Sequence, residues 1–266
     1  MKLNNPNFLL WKIGKRCLSF MVIIGMGILL LSFHNILIAQ SQKLIVRSGR
    51  PAASAIEILE ARHGVIITYE DVPYSYEGDM TDTTSPKYRE AHPNDTRRAL
   101  IPRAASLEMT YQLSSGPIRS VEMNSVIQRL LDIHAERNNP GRFRLQQAGD
   151  YFHVIPSQVR DRSGRLMAVT SILDTPVSFP EQEHSGIEFL NIIINEISRA
   201  KGIEKIFIGE APRNLLNKTS SHQKATNKKA RDLLVDILKL PQSKLTWQLF
   251  YDPSLKWYAL NIHQVQ

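Results

Sequence analysis

Hydrophobic and polar positions recur along this chain in one repeated order. Between Asn227 and Leu240, the residues Leu233, Leu234, Ile237 and Leu238 fall at i, i+1, i+4 and i+5. That spacing is an apolar stripe at helical period, and Pro241 ends it. The runs Leu245–Tyr251 and Lys256–Ile262 then flank Asp252-Pro253-Ser254, which predicts a β-hairpin. The same order is written earlier. Ser120 stands as a candidate N-cap, and Ile127, Leu130, Leu131 and His134 form a helix stripe stopped by Asn138–Gly141. Phe143–Gln147, the turn Ala148–Asp150 and Tyr151–Ile155 complete a second hairpin.

A shared preface precedes each helix and hairpin. Lys43–Val46 predicts a short strand. Pro51 then opens a helix with Ala52, Ile56, Leu59 and His63 on one face. Gly64 is placed as its left-handed terminator, and Val65–Tyr69 predicts a strand closed by Glu70-Asp71-Val72-Pro73. Further on, Pro180 with Glu181 and Glu183 reads as a helix start. Its residues Ile187, Leu190, Ile194 and Ile197 face inward, and burying each stabilises by roughly 1.5–3 kcal/mol. Gly202 ends it, and Ile203–Ile208 predicts a strand closed by Gly209–Pro212. Arg62–Pro73 therefore corresponds to Ala200–Pro212. Leu107–Leu113 alternates strictly, as a half-buried strand does.

Two stretches break the order. Residues 73–102 carry Pro73, Pro86, Pro93 and Pro102 and no apolar period, which predicts a long functional or mobile loop. Residues 157–180, between Pro156 and Pro180, read as a linker. The expected fold class is α+β. Two small βαβ-type modules, each with helices packed on a small mixed sheet, would span residues 43–156 and 181–266.

The N-terminus lies outside that pattern. Lys2, Lys12, Lys15 and Arg16 precede a nearly unbroken apolar run, Cys17–Phe33, and Ala39 offers a small residue for cleavage. Residues 1–39 thus read as a secretory signal or as a membrane anchor over residues 17–38. Either reading places the remainder as exported: periplasmic, secreted or held at an inner membrane. Without residues 1–39, 29 basic residues face 25 acidic ones, so the formal charge falls from +8 to +4. That weakens a nucleic-acid reading, and no nucleic-acid partner is expected. The one basic cluster is Lys218, Lys224, Lys228, Lys229 and Arg231, read as a solvated helix start. Cys17 is the only cysteine, so the exported part has no disulfide and no thiolate metal site.

The element order resembles the secretin/TonB short N-terminal type domain, written twice. In the first copy the matching positions are Pro51, Ile56, Leu59, Gly64, Val65, Ile67 and Tyr69, then Ile127, Leu130, Leu131, Leu145, Val154 and Ile155. In the second they are Ala230, Leu233, Leu234, Ile237, Leu238, Trp247, Leu260 and Ile262. The whole chain also resembles exported bacterial proteins of this two-part layout. The resemblance implies an envelope interaction module with a protein partner. The chain departs from the large members in the loop of its first copy and in carrying no barrel or channel sequence, so no transport role is carried over.

The chemistry is sparse. No glycine-rich phosphate loop, nucleophile elbow or His-Glu-x-x-His occurs, and no catalytic, cofactor-binding or metal-ligating residue is assigned. Glu181-Gln182-Glu183-His184 is the best polar constellation, read as a capped helix first turn rather than a metal site. Glu70 and Asp71 read as a strand-end acidic turn rather than an acid–base pair, and His63, His134, His153 and His263 as core-edge or strand-end residues. Trp247, Tyr251, Trp257 and Tyr258 read as cross-strand packing rather than a sugar platform. The leading expectation is a non-enzymatic envelope interaction module. The alternative is a periplasmic hydrolase or glycan-binding protein using the 73–102 loop or the Glu181–His184 region.

Overall fold

A computed structural model describes residues 40–114, 116–202 and 206–265 of the chain. Residues 1–39, which read as a signal or anchor and include Cys17 and Ala39, lie outside the described residues. The first half opens with strand β1 (Gln40–Ser48), helix α1 (Pro51–His63) and strand β2 (Ile66–Glu70). Pro51 occupies the first turn of α1, where its missing N–H is not needed. Gly64 ends α1 at φ 60°, with its N–H on the Glu60 carbonyl.

The proline-bearing stretch is not a bare loop. It holds β3 (Met80–Asp82), a short helix α2 (Pro86–Ala91) and β4 (Leu100–Pro102), with β3 and β4 paired antiparallel. Next come β5 (Ala105–Leu113), helix α3 (Ser120–Glu136), and strands β6 (Arg142–Ala148) and β7 (Tyr151–Arg160). Burial on β5 alternates strictly, as its sequence predicts. Ala148 pairs with Tyr151, so Gly149, at φ 59°, and Asp150 form the two-residue turn.

The expected linker and helix start are corrected. Residues 157–180 extend β7, then form β8 (Leu166–Ala168) and the first half of β9 (Pro176–Ser185). Helix α4 (Gly186–Lys201) begins at Gly186, not at Glu181. A stronger cap five residues downstream sets that start. The Ser185 hydroxyl accepts the Glu188 N–H, and the Glu188 carboxylate accepts the Ser185 N–H at 2.8 Å. Strand β10 (Ile206–Ile208) and the four-residue helix α5 (Arg213–Leu216) follow. Strand β11 (Ser220–Lys229) then takes up residues read as a helix start, so α6 (Ala230–Leu238) begins three residues late. The chain closes with the hairpin β12 (Leu245–Asp252) and β13 (Trp257–Gln264).

Both halves pair their strands alike. β1 pairs with β5, and β9 pairs with β11. β2 runs parallel to β7, which is antiparallel to β6; β10 runs parallel to β13, which is antiparallel to β12. The two three-stranded sets then join edge to edge. β12 runs parallel to β2, with Gln248 opposite Tyr69 and Leu249 opposite Glu70, giving the order β10-β13-β12-β2-β7-β6.

Two cores lie on the two faces of this shared sheet. Successive strand residues point to opposite faces. Ile66 and Tyr151 join the core of α4 and α6, whereas their neighbours Ile67 and Phe152 join the core of α1 and α3. Every residue of β2 is buried because helices cover both of its faces. Among the described residues, no helix is long and apolar enough to cross a membrane.

Candidate functional site

Strand β2 ends in two consecutive acids at the seam between the halves. Glu70 is 1% exposed; it accepts a hydrogen bond from Arg231 Nε at 2.9 Å within an ion pair whose Nη2 lies 2.8 Å away, and the Ser171 hydroxyl donates to it. Arg231, equally buried, reaches Asp174 through Nη1. Burial pushes the Glu70 carboxyl above its usual range, against the opposing charge of Arg231. Asp71 uses other donors. It accepts Arg50 Nε at 2.7 Å, the Tyr251 N–H at 3.2 Å, and the hydroxyls of Tyr69 and Tyr74. The two carboxylates share no donor, and each ties the end of β2 to the second half.

The histidines separate in the same way. His134 is buried edge-on against Phe143, and burial beside Arg142 lowers its pKa to about 3. His153 bonds the Thr68 hydroxyl at 2.8 Å; burial, then the charge of Arg231, lowers it to about 4. His63 bonds the Tyr111 hydroxyl. His263 bonds Glu60, whose other oxygen accepts the Ile67 N–H. Burial pushes His263 down, but Glu60 outweighs it and holds the imidazole above its ordinary value.

The Glu181–His184 region runs along β9, where alternate residues point apart. Glu183 faces His222 at 3.6 Å and His184 faces Glu188 at 3.5 Å, both near solvent. Among the described residues, no group of three or more His, Cys, Asp or Glu is placed to hold a metal ion. The four aromatic residues also divide. Trp247, Tyr251 and Tyr258 are buried in one core, while Trp257 meets the exposed Phe207 edge-on at 6.0 Å. The lysine-rich cluster disperses: Arg231 is internal, Lys228 pairs with Asp236, and Lys229 lies 3.7 Å from Asp174.

Among the described residues, concave features include a pocket of about 380 Å³ within the 73–102 segment, lined by Thr83, Tyr88 and Arg97, and two that draw on several elements. The first is an interruption in the shared sheet. Gln158 pairs with Arg142 of β6 and with Ala168 of β8, so β8 lies on the side of β7 that β2 occupies further back. Beyond the end of β2, a groove of about 490 Å³ opens between β8 and the β12–β13 turn. Val159, Met167 and Val169 line one wall, Tyr251 and Pro253 the other, and Tyr74, Met80 and Leu100 come from the 73–102 segment. Arg162 and Lys256 add positive charge. Ser254 clasps the segment, donating to the Leu100 carbonyl at 2.9 Å and accepting its N–H at 2.6 Å. The groove brings the 73–102 segment to both halves, which a loop reading alone did not place.

The second is a cleft of about 530 Å³ lined by Arg47, Arg103, Ser106, Arg137 and Asn138. Its arginines are 34 to 90 residues apart in sequence, so no local charge run marks it. Comparison of the chain with protein-family models, curated proteins and solved structures finds no match in any of the three.

Proposed function

We propose that this chain is an exported envelope protein built from two secretin/TonB short N-terminal type modules, and that it binds a protein partner without catalysing a reaction. The matching strand pairings of the two halves support a duplicated module. One observation carries the binding role: β2 stops at Glu70 while its neighbours continue, leaving an apolar groove flanked by the short strand β8. All three residues of β8 are exposed, with Leu166 at 44% and Met167 at 52%. An extended partner segment gains main-chain hydrogen bonds beside such a strand and side-chain contacts in the groove. Arg162 and Lys256 favour a segment that alternates apolar and acidic residues.

A photo-crosslinking residue at Met167, in the exported protein in its own cell envelope, tests this reading. The expected product is one crosslinked envelope protein, lost in an Arg162→Glu/Lys256→Glu variant. Val121, 77% exposed on α3, is the control position. Equal crosslinking at both positions, or none at 167, would overturn the reading.

A further inference from the structure

We propose that the cleft between Arg47, Arg103 and Arg137 binds a small molecule through a phosphate group. The three side chains come from β1, from the residue after β4 and from the residue that caps α3. None of them closes an ion pair among the described residues. Several exposed arginines elsewhere do: Arg89 with Asp82, Arg98 with Glu77, Arg119 with Glu122 and Arg199 with Glu196. Three arginines thus line one concavity, none of them closing an ion pair there.

The surroundings sharpen that excess. Arg142 and Arg160 lie behind the cleft, bonded to the backbone around Asn138 and Gly141. The buried acid there, Asp79, is taken by Arg160. Glu108, two residues along β5 from Ser106, is held by Lys43 at 2.6 Å. The walls are fixed rather than loose. Arg137 Nη1 donates to the Ser106 hydroxyl at 3.2 Å, Asn139 Nδ2 donates to the Ser106 carbonyl at 3.2 Å, and the Arg103 N–H donates to the Asp79 carbonyl at 2.8 Å.

Guanidinium forks match the oxygens of phosphate and carboxylate. A carboxylate occupies one fork, whereas a phosphate offers three oxygens and up to two charges, which suits three forks. A volume of about 530 Å³ falls within the range of small-molecule sites, so there is room for more than the anion itself. Ser106 and Asn138 offer neutral hydrogen-bonding groups to the remainder of such a ligand. The cleft and the apolar groove share no lining residue, so this site stands or falls apart from the partner reading.

Calorimetric titration of the exported protein at low salt, with pyrophosphate, a hexose monophosphate and citrate as probes, tests the assignment. One-to-one binding of a phosphate probe is expected, at least about tenfold tighter than citrate. Arg103→Ala and Arg137→Ala should each weaken it about tenfold or more, and Arg137→Lys less, because it keeps the charge and loses the fork. Arg199→Ala should leave it unchanged. Sedimentation with vesicles rich in a phosphomonoester lipid distinguishes the source. Binding there with the same variant dependence, and none to the free probes, assigns the phosphate to a headgroup. Binding to no phosphate probe or vesicle, equal binding of citrate, or undiminished binding by folded Arg103→Ala and Arg137→Ala would overturn the proposal.

Discussion

Arg231 separates what a residue's neighbours in sequence suggest from what its surroundings impose. It follows Lys228 and Lys229 and reads as one more solvated cation, yet it is 1% exposed and bonded to Glu70 and Asp174. Its partners lie 161 and 57 residues away, so no window of sequence contains the pair. Removing one member of a buried ion pair leaves the other charge desolvated, which costs roughly 3–5 kcal/mol. Arg231→Ala is therefore expected to lower unfolding stability by about that amount in urea titration. Glu70→Gln with Arg231→Met should recover much of the loss, because neither member of the pair is left as a buried charge and Asp174 keeps Lys229 nearby. A stability loss in the double variant equal to that of Arg231→Ala would show that the ion pair itself is needed.

At the scale of elements, local signals held wherever the partner was local. The stripes of α1, α3 and α6, the alternation of β5 and both hairpin turns follow from periodicity and turn residues. The failures share a cause. β9 and β11 pair over ten residues each but bury few side chains, so neither shows an apolar pattern. Their charged residues resemble helix starts for that reason. The boundary was nonetheless written in the chain, as Ser185 followed three residues later by Glu188. Ser185→Ala should cost about 1 kcal/mol in thermal or urea unfolding, and Ser185→Asp should be nearly neutral. A loss in Ser185→Asp as large as in Ser185→Ala would show that the cap is not what sets the start of α4.

At the scale of the whole molecule, the sheet crosses from one half to the other. The crossing is tied by Asp71 on Tyr251, Thr246 on the Ile67 carbonyl and His263 on Glu60. Titratable groups in and beside this sheet give the fold a pH dependence of known sign. His134 and His153 are neutral when folded, with pKa values lowered to about 3 and about 4. An unfolded histidine takes up its proton near pH 6.5, so stability is lost as pH falls below that value, by about 2 kcal/mol per imidazole at pH 5. Glu60 and His263 act oppositely: both are raised, so their contribution declines as pH rises through their folded values. Urea midpoints measured from pH 4 to pH 9 should therefore pass through a maximum near neutrality. His134→Leu should flatten the acid limb; an unchanged limb would exclude His134 as its source.

The sequence by itself determined the mixed α/β class, the helices with wide apolar stripes, the hairpins and the repeated order of elements, because each rests on contacts between residues near in the chain. Only the tertiary structure decided that the halves share one sheet, that Glu70 and Asp71 are ties, and that three distant arginines line one cleft. Those outcomes depend on strand edges meeting and on charges being desolvated together. Edges and burial belong to the folded chain as a whole, and no periodicity along it records them.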